Sequence, residues 1–165
     1  MRSLRLAAVA LGCAGVVAGS SLANASPRCR QIDATIYDKV VSEGCPPPTE
    51  VCVAGTVRGK HGFDGTTVFV LGSRADPPST APGYRAVSGT ITYTFKDGST
   101  LSALETSIGN VDTSTANVGH AGGTQEFTGG TGRYEGATGF TYLNQRFDGD
   151  QFVTRIEGEV CGVKR

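Results

Sequence analysis

The chain has 165 residues, 15 Lys and Arg against 15 Asp and Glu, 24 Gly, five Cys, seven Phe, five Tyr, two His and no Trp. The balanced charge argues against a nucleic-acid binder, which would carry a basic excess or stripe. Two His exclude a histidine-rich metal site, and a glycine excess without a G-X-Y period excludes collagen.

The first 25 residues read as a leader. Arg2 and Arg5 give a positive start, and Leu6 to Ala18 is an apolar run too short to span a bilayer comfortably. Ala23-Asn24-Ala25 is an A-x-A cleavage site. The expected product is a single domain, residues 26–165, secreted or delivered to the periplasm or cell exterior, with no membrane attachment after cleavage. It would have 140 residues and a net charge of −2, because the leader removes two Arg and no acid. Cys13 leaves with the leader. Cys29, Cys45, Cys52 and Cys161 remain, an even number that reads as two disulfides in an exported chain.

No helical pattern of useful length follows. Helix interiors avoid Gly and β-branched runs, and both recur here. Eight segments rich in Val, Ile, Thr, Tyr and Phe are predicted as strands: Gln31–Asp38, Glu50–Arg58, Thr66–Gly72, Gly83–Phe95, Ser99–Ile108, Gly122–Thr128, Gly136–Phe147 and Gln151–Val160. The separators carry turn chemistry. Asp97-Gly98 and Asp148-Gly149-Asp150 are hairpin signals. The run Cys45-Pro46-Pro47-Pro48 cannot sit in a central strand. The stretch Asp76 to Gly83 reads as a longer loop, a candidate rim or lid.

In the fourth segment Val87, Ile91, Tyr93 and Phe95 share a face; in the eighth, Phe152, Ile156 and Val160 do. Eight antiparallel strands without helices leave edges that closure removes. The expected fold is all-β, an eight-stranded antiparallel closed barrel; a two-sheet sandwich is the alternative. Closure sets the start of the first strand beside the end of the last. Of three possible pairings it selects Cys29–Cys161 as a seam clamp and Cys45–Cys52 as a loop staple.

The most distinctive stretch is Thr128-Gly129-Gly130-Thr131-Gly132-Arg133-Tyr134-Glu135-Gly136-Ala137-Thr138-Gly139. It reads as a tight reversal, an aromatic plug at Tyr134, and glycines that relieve crowding as the next strand starts. It is not a phosphate loop, since a strand and not a helix follows. This stretch resembles the allene oxide cyclase barrel and dirigent superfamily, whose plant members carry a Gly-Gly-(Ser/Thr)-Gly-x-aromatic turn. Tyr134-Glu135-Gly136 matches the cyclase branch. Thr138 stands where plant dirigents usually have Arg, a departure from phenol coupling.

The resemblance implies cofactor-free work inside an apolar barrel on a small hydrophobic molecule, with a polyketide-like or lipid-like substrate for a cyclase or isomerase. It also implies possible homo-oligomers, because such barrels often form dimers or trimers. Candidate catalytic residues are Glu105, Tyr142 and Asn144. Glu105 shares a face with Leu101 and Ala103, as an interior carboxyl or an exterior one. Tyr142 and Asn144 share a face with Phe140 and Thr138, as a pocket wall or an exterior ladder. Candidate ligand contacts are Tyr93, Phe140, Thr138 and Arg155. His61 and His120 stand in no motif, no nucleophile elbow occurs, and neither metal nor cofactor is expected. The alternative function is a non-catalytic secreted carrier or interaction protein.

Overall fold

The computed structural model describes residues 28–110 and 118–164, so the expected leader, residues 1–25, lies outside the described residues. Eight strands follow in chain order: β1 (Cys29–Val41), β2 (Cys52–Gly59), β3 (Gly65–Ala75), β4 (Tyr84–Phe95), β5 (Thr100–Asn110), β6 (Val118–Gly130), β7 (Thr138–Asp148) and β8 (Gln151–Cys161). Each pairs antiparallel with its chain neighbours, and β8 closes onto β1 over eleven register pairs from Cys29↔Cys161 to Lys39↔Gln151. The barrel is therefore closed and the sandwich is excluded.

The turn residues behave as their chemistry requires. Gly98 takes φ of 80° between β4 and β5, and the Asp97 carboxylate accepts the Ser99 N–H at 3.1 Å and the Ser99 hydroxyl at 2.6 Å. Gly149 takes φ of 60° between β7 and β8. The Gly129–Gly139 stretch makes the expected reversal through positive φ at all four of Gly129, Gly132, Gly136 and Gly139. Strand β6 begins at Val118, before the expected Gly122. Ladders to β5 and β7 on both sides carry it through Gly122 and Gly123 despite their low strand propensity.

The lumen has three layers. At one end Phe63, Phe95 and Tyr134 form a buried plug, with ring centroids 5.2 Å apart for Phe63–Phe95 and 4.6 Å for Phe95–Tyr134. The Arg133 guanidinium lies over both Phe95 and Tyr134, 5.0 and 4.9 Å from their centroids, and pairs with Asp97 at 3.4 Å. A belt of buried polar groups, Thr67, Glu105, Gln125, Thr141 and Thr154, occupies the middle. Toward the other end Val40, Leu71 and Val87 line an opening, with Val40 and Leu71 exposed. The loop at residues 76–83 joins β3 to β4 on that rim.

Both disulfides have the expected pairing. Cys29 and Cys161 face each other across the β1–β8 seam with Cα atoms 3.9 Å apart, and Cys45–Cys52 staples the β1–β2 connection. Such bonds persist in a non-reducing compartment. Among the described residues no helix is long and apolar enough to cross a membrane.

Candidate functional site

Period-2 alternation turns Ile32, Ala34, Ile36 and Asp38 of β1 into the lumen. The same alternation turns in Leu101, Ala103, Glu105 and Ser107 of β5 and Phe127 and Gln125 of β6. Each acid faces a glycine across the ladder: Asp38 is in register with Gly55, and Glu105 with Gly89. A methyl group added at Gly55 would come within 2.5 Å of Asp38 Oδ1, and one at Gly89 within 2.2 Å of the Val70 carbonyl. The missing side chains leave room for the Asp38 carboxyl at Gly55 and for the Phe69 ring at Gly89, and let the strands pass closely.

A hydrogen-bond chain fixes Glu105. The Tyr93 hydroxyl donates to Gln125 Oε1 at 2.7 Å, and the Thr141 hydroxyl donates to the same oxygen at 3.0 Å. Two donors on Oε1 leave the Gln125 amide nitrogen to face Glu105, and Nε2 donates to Glu105 Oε2 at 2.7 Å. Burial pushes the Glu105 carboxyl up to about 7; the Gln125 bond opposes this and the Asp38 charge adds to it. Burial likewise pushes Asp38 up to about 6, against a 2.5 Å hydrogen bond from the Thr67 hydroxyl to Oδ1. Burial and the Glu105 charge hold the Tyr93 hydroxyl well above its usual value, so it stays a donor.

Both carboxyls line a cavity of about 350 Å³ that opens at the end opposite the aromatic plug. Its walls are apolar, built from residues such as Val53, Phe69, Val87, Ile91 and Phe152. The protein-family models and the curated proteins give no match to this chain. A carboxyl that titrates near neutrality in an apolar site can give or take a proton, which is the requirement for general acid–base work.

The structure brings one of the three expected catalytic residues to the chamber. Glu105 is inside; Tyr142, at 63% exposure, and Asn144 are outside. Thr138 and Phe140 share that outer face, so the expected pocket wall is corrected to an exterior row, with the Phe140 and Tyr142 rings edge to face at 5.4 Å. The physical reason lies in β7, where Thr141, Leu143 and Gln145 alternate inward and Leu143 packs in the core opposite Ile156. Arg155 also points outward, pairing with Glu157 at 2.6 Å and Asp33 at 3.6 Å, and so meets no lumen ligand. Tyr93 is inside but fully buried beneath the chamber, where it orients Gln125.

Sequence reasoning missed Asp38, Thr67 and Gln125. The signal for Asp38 was present: it extends the stripe Ile32, Ala34, Ile36 by one step. His61 lies in the short 3-10 turn Lys60–Gly62, and His120 lies on the exposed face of β6. Among the described residues the cluster with metal-ligand spacing is Cys29, Glu159 and Cys161, and both its sulfurs are in the seam disulfide.

Proposed function

We propose that the barrel is a binding chamber for a small hydrophobic molecule and that Glu105, with Asp38 beside it, serves a cofactor-free cyclisation or isomerisation there. One observation carries this reading: two carboxyls with proton affinities raised toward neutrality stand at the floor of an open, apolar 350 Å³ cavity. Protein pockets for small ligands have this composition, an apolar lining with a few convergent polar groups. The Gly129–Gly139 turn and the closed eight-strand barrel support membership of the allene oxide cyclase and dirigent superfamily. The leader and the two disulfides support secretion.

The neutral dye Nile red provides the binding test. Saturable one-to-one binding is expected, and Val87→Trp, which fills the chamber wall, should abolish it while the circular dichroism of the barrel is kept. Absence of saturable binding to the native chain would refute the chamber. With a substrate that turns over, Glu105→Gln should lower kcat by about 100-fold or more and remove the titration near pH 7. Binding without turnover of any polyketide-like or lipid-like substrate would leave a carrier, which the same cavity would serve.

A further inference from the structure

Among the described residues, the ionisable side chains lining the chamber are Asp38, Glu105 and Arg74. Their placement is uneven. Asp38 and Glu105 share the floor, close enough for the Asp38 charge to act on Glu105. Arg74 sits toward the rim: it is in register with Val87, two residues nearer the opening than Gly89, the partner of Glu105. Its charge is not among the influences on either carboxyl. Among the described residues, the floor is thus acidic without a countercharge.

The hydrogen-bond inventory has matching gaps. Asp38 receives the Thr67 hydroxyl on Oδ1, and Glu105 receives Gln125 on Oε2. Among the described residues no hydrogen bond reaches Asp38 Oδ2 or Glu105 Oε1. A carboxylate can accept about four hydrogen bonds, so both retain capacity. The surrounding fold has already withdrawn much of these groups' surface from bulk water, and a cationic partner offsets that cost with Coulomb energy.

We propose that the chamber is selective for lipophilic amines, which enter with the protonated nitrogen leading and set it against Asp38 and Glu105. The ammonium supplies three donors to the open carboxylate oxygens. The hydrocarbon body then lies along Val53, Phe69, Leu71 and Phe152 toward the rim. This inference rests on the reading of the lumen as a ligand chamber. An anionic head at the floor is repelled, and a neutral alcohol offers one donor where the amine offers three and a charge.

The test compares octylamine, octanol and octanoate as displacers of Nile red from the full, disulfide-bonded chain at pH 7.5. Octylamine should bind at least about tenfold more tightly than octanol, with octanoate weakest. Asp38→Asn and Glu105→Gln together should erase the amine preference and keep octanol binding, which also reports that the double variant is folded. Amine affinity should fall about tenfold between pH 7.5 and pH 5 as the carboxyls protonate, and octanol affinity should stay level. The groups facing the two carboxyls in this titration are Thr67 from β3, Tyr93 from β4, Gln125 from β6, and each other, with Arg74 of β3 at the rim. Octanoate binding as tightly as octylamine would overturn the proposal in favour of pairing with Arg74 at the rim. Equal binding of octanol and octylamine, or dye that none of the three displaces, would overturn it as well. Failure of Nile red itself to bind would instead defeat the chamber reading beneath it.

Discussion

Burial at the lumen floor raises the proton affinity of Glu105 from 4.5 to about 7 and that of Asp38 from 3.8 to about 6. The folded chain therefore holds more protons than the unfolded chain between roughly pH 4 and pH 7, and stability falls as pH rises through that window. Each carboxyl withdraws on the order of 3 kcal/mol by pH 8. Asp33, Asp97 and Glu135 act oppositely: the Lys60, Ser99 and Lys164 side chains, respectively, hold them low, so their support fades only in more acidic solution. The Tm should accordingly be higher at pH 5 than at pH 8, and Glu105→Gln should flatten that difference. A native Tm that rises from pH 5 to pH 8 would contradict the burial of these acids. Gln125→Leu tests the chain of hydrogen bonds. It strands the Tyr93 and Thr141 hydroxyls and removes the donor to Glu105, with an expected loss of about 3 kcal/mol in urea unfolding. It should also raise the Glu105 proton affinity further, measurable by carboxyl-carbon NMR.

At the scale of the strand, the glycines separate two kinds of requirement. Gly89→Ala places a methyl 2.2 Å from the Val70 carbonyl, a backbone atom that cannot swing aside. Gly136→Ala meets nothing within 4 Å, and its only penalty is φ of 71°. The first should cost more than about 2 kcal/mol and the second about 1 kcal/mol, both read from denaturant midpoints. Equal losses would mean that close approach of β4 to β3 is not what holds Gly89. The strands themselves were legible because alternation in β4 and β8 is clean: Ile91, Tyr93 and Phe95 inside, Thr90 and Thr94 outside. The inward face of β7 was not, since Phe140 and Tyr142 on one face rival Leu143 and Phe147 on the other, and size alone cannot choose between them. Its orientation is decided by the barrel, which packs Leu143 in the core with Ile156. Glu105 was legible as a residue on the Leu101 and Ala103 face. The chamber above it was not, because its space depends on Gly55 and Gly89 lying across the ladder from Asp38 and Glu105, a register that composition does not reveal.

For the whole molecule, closure and its seam were legible together. A meander of eight strands brings its two ends side by side, and one cysteine stands at each. The two disulfides should differ in weight. Cys29–Cys161 spans 132 residues and Cys45–Cys52 spans 7. By loop entropy, replacing the first pair with serine should cost about 5 kcal/mol and the second about 2 kcal/mol. Equilibrium unfolding of the two double variants checks the order; a larger loss from the short loop would point to native contacts at the rim as its source.

The plug of Phe63, Phe95 and Tyr134 makes the lumen a blind alley. Anything that enters must leave by the same door, and a second molecule cannot push the first out from behind. Exchange therefore requires complete vacating before refilling. In a stopped-flow chase, the release rate of a bound dye should be the same at any concentration of competitor. Acceleration by excess competitor would show a second way through the barrel.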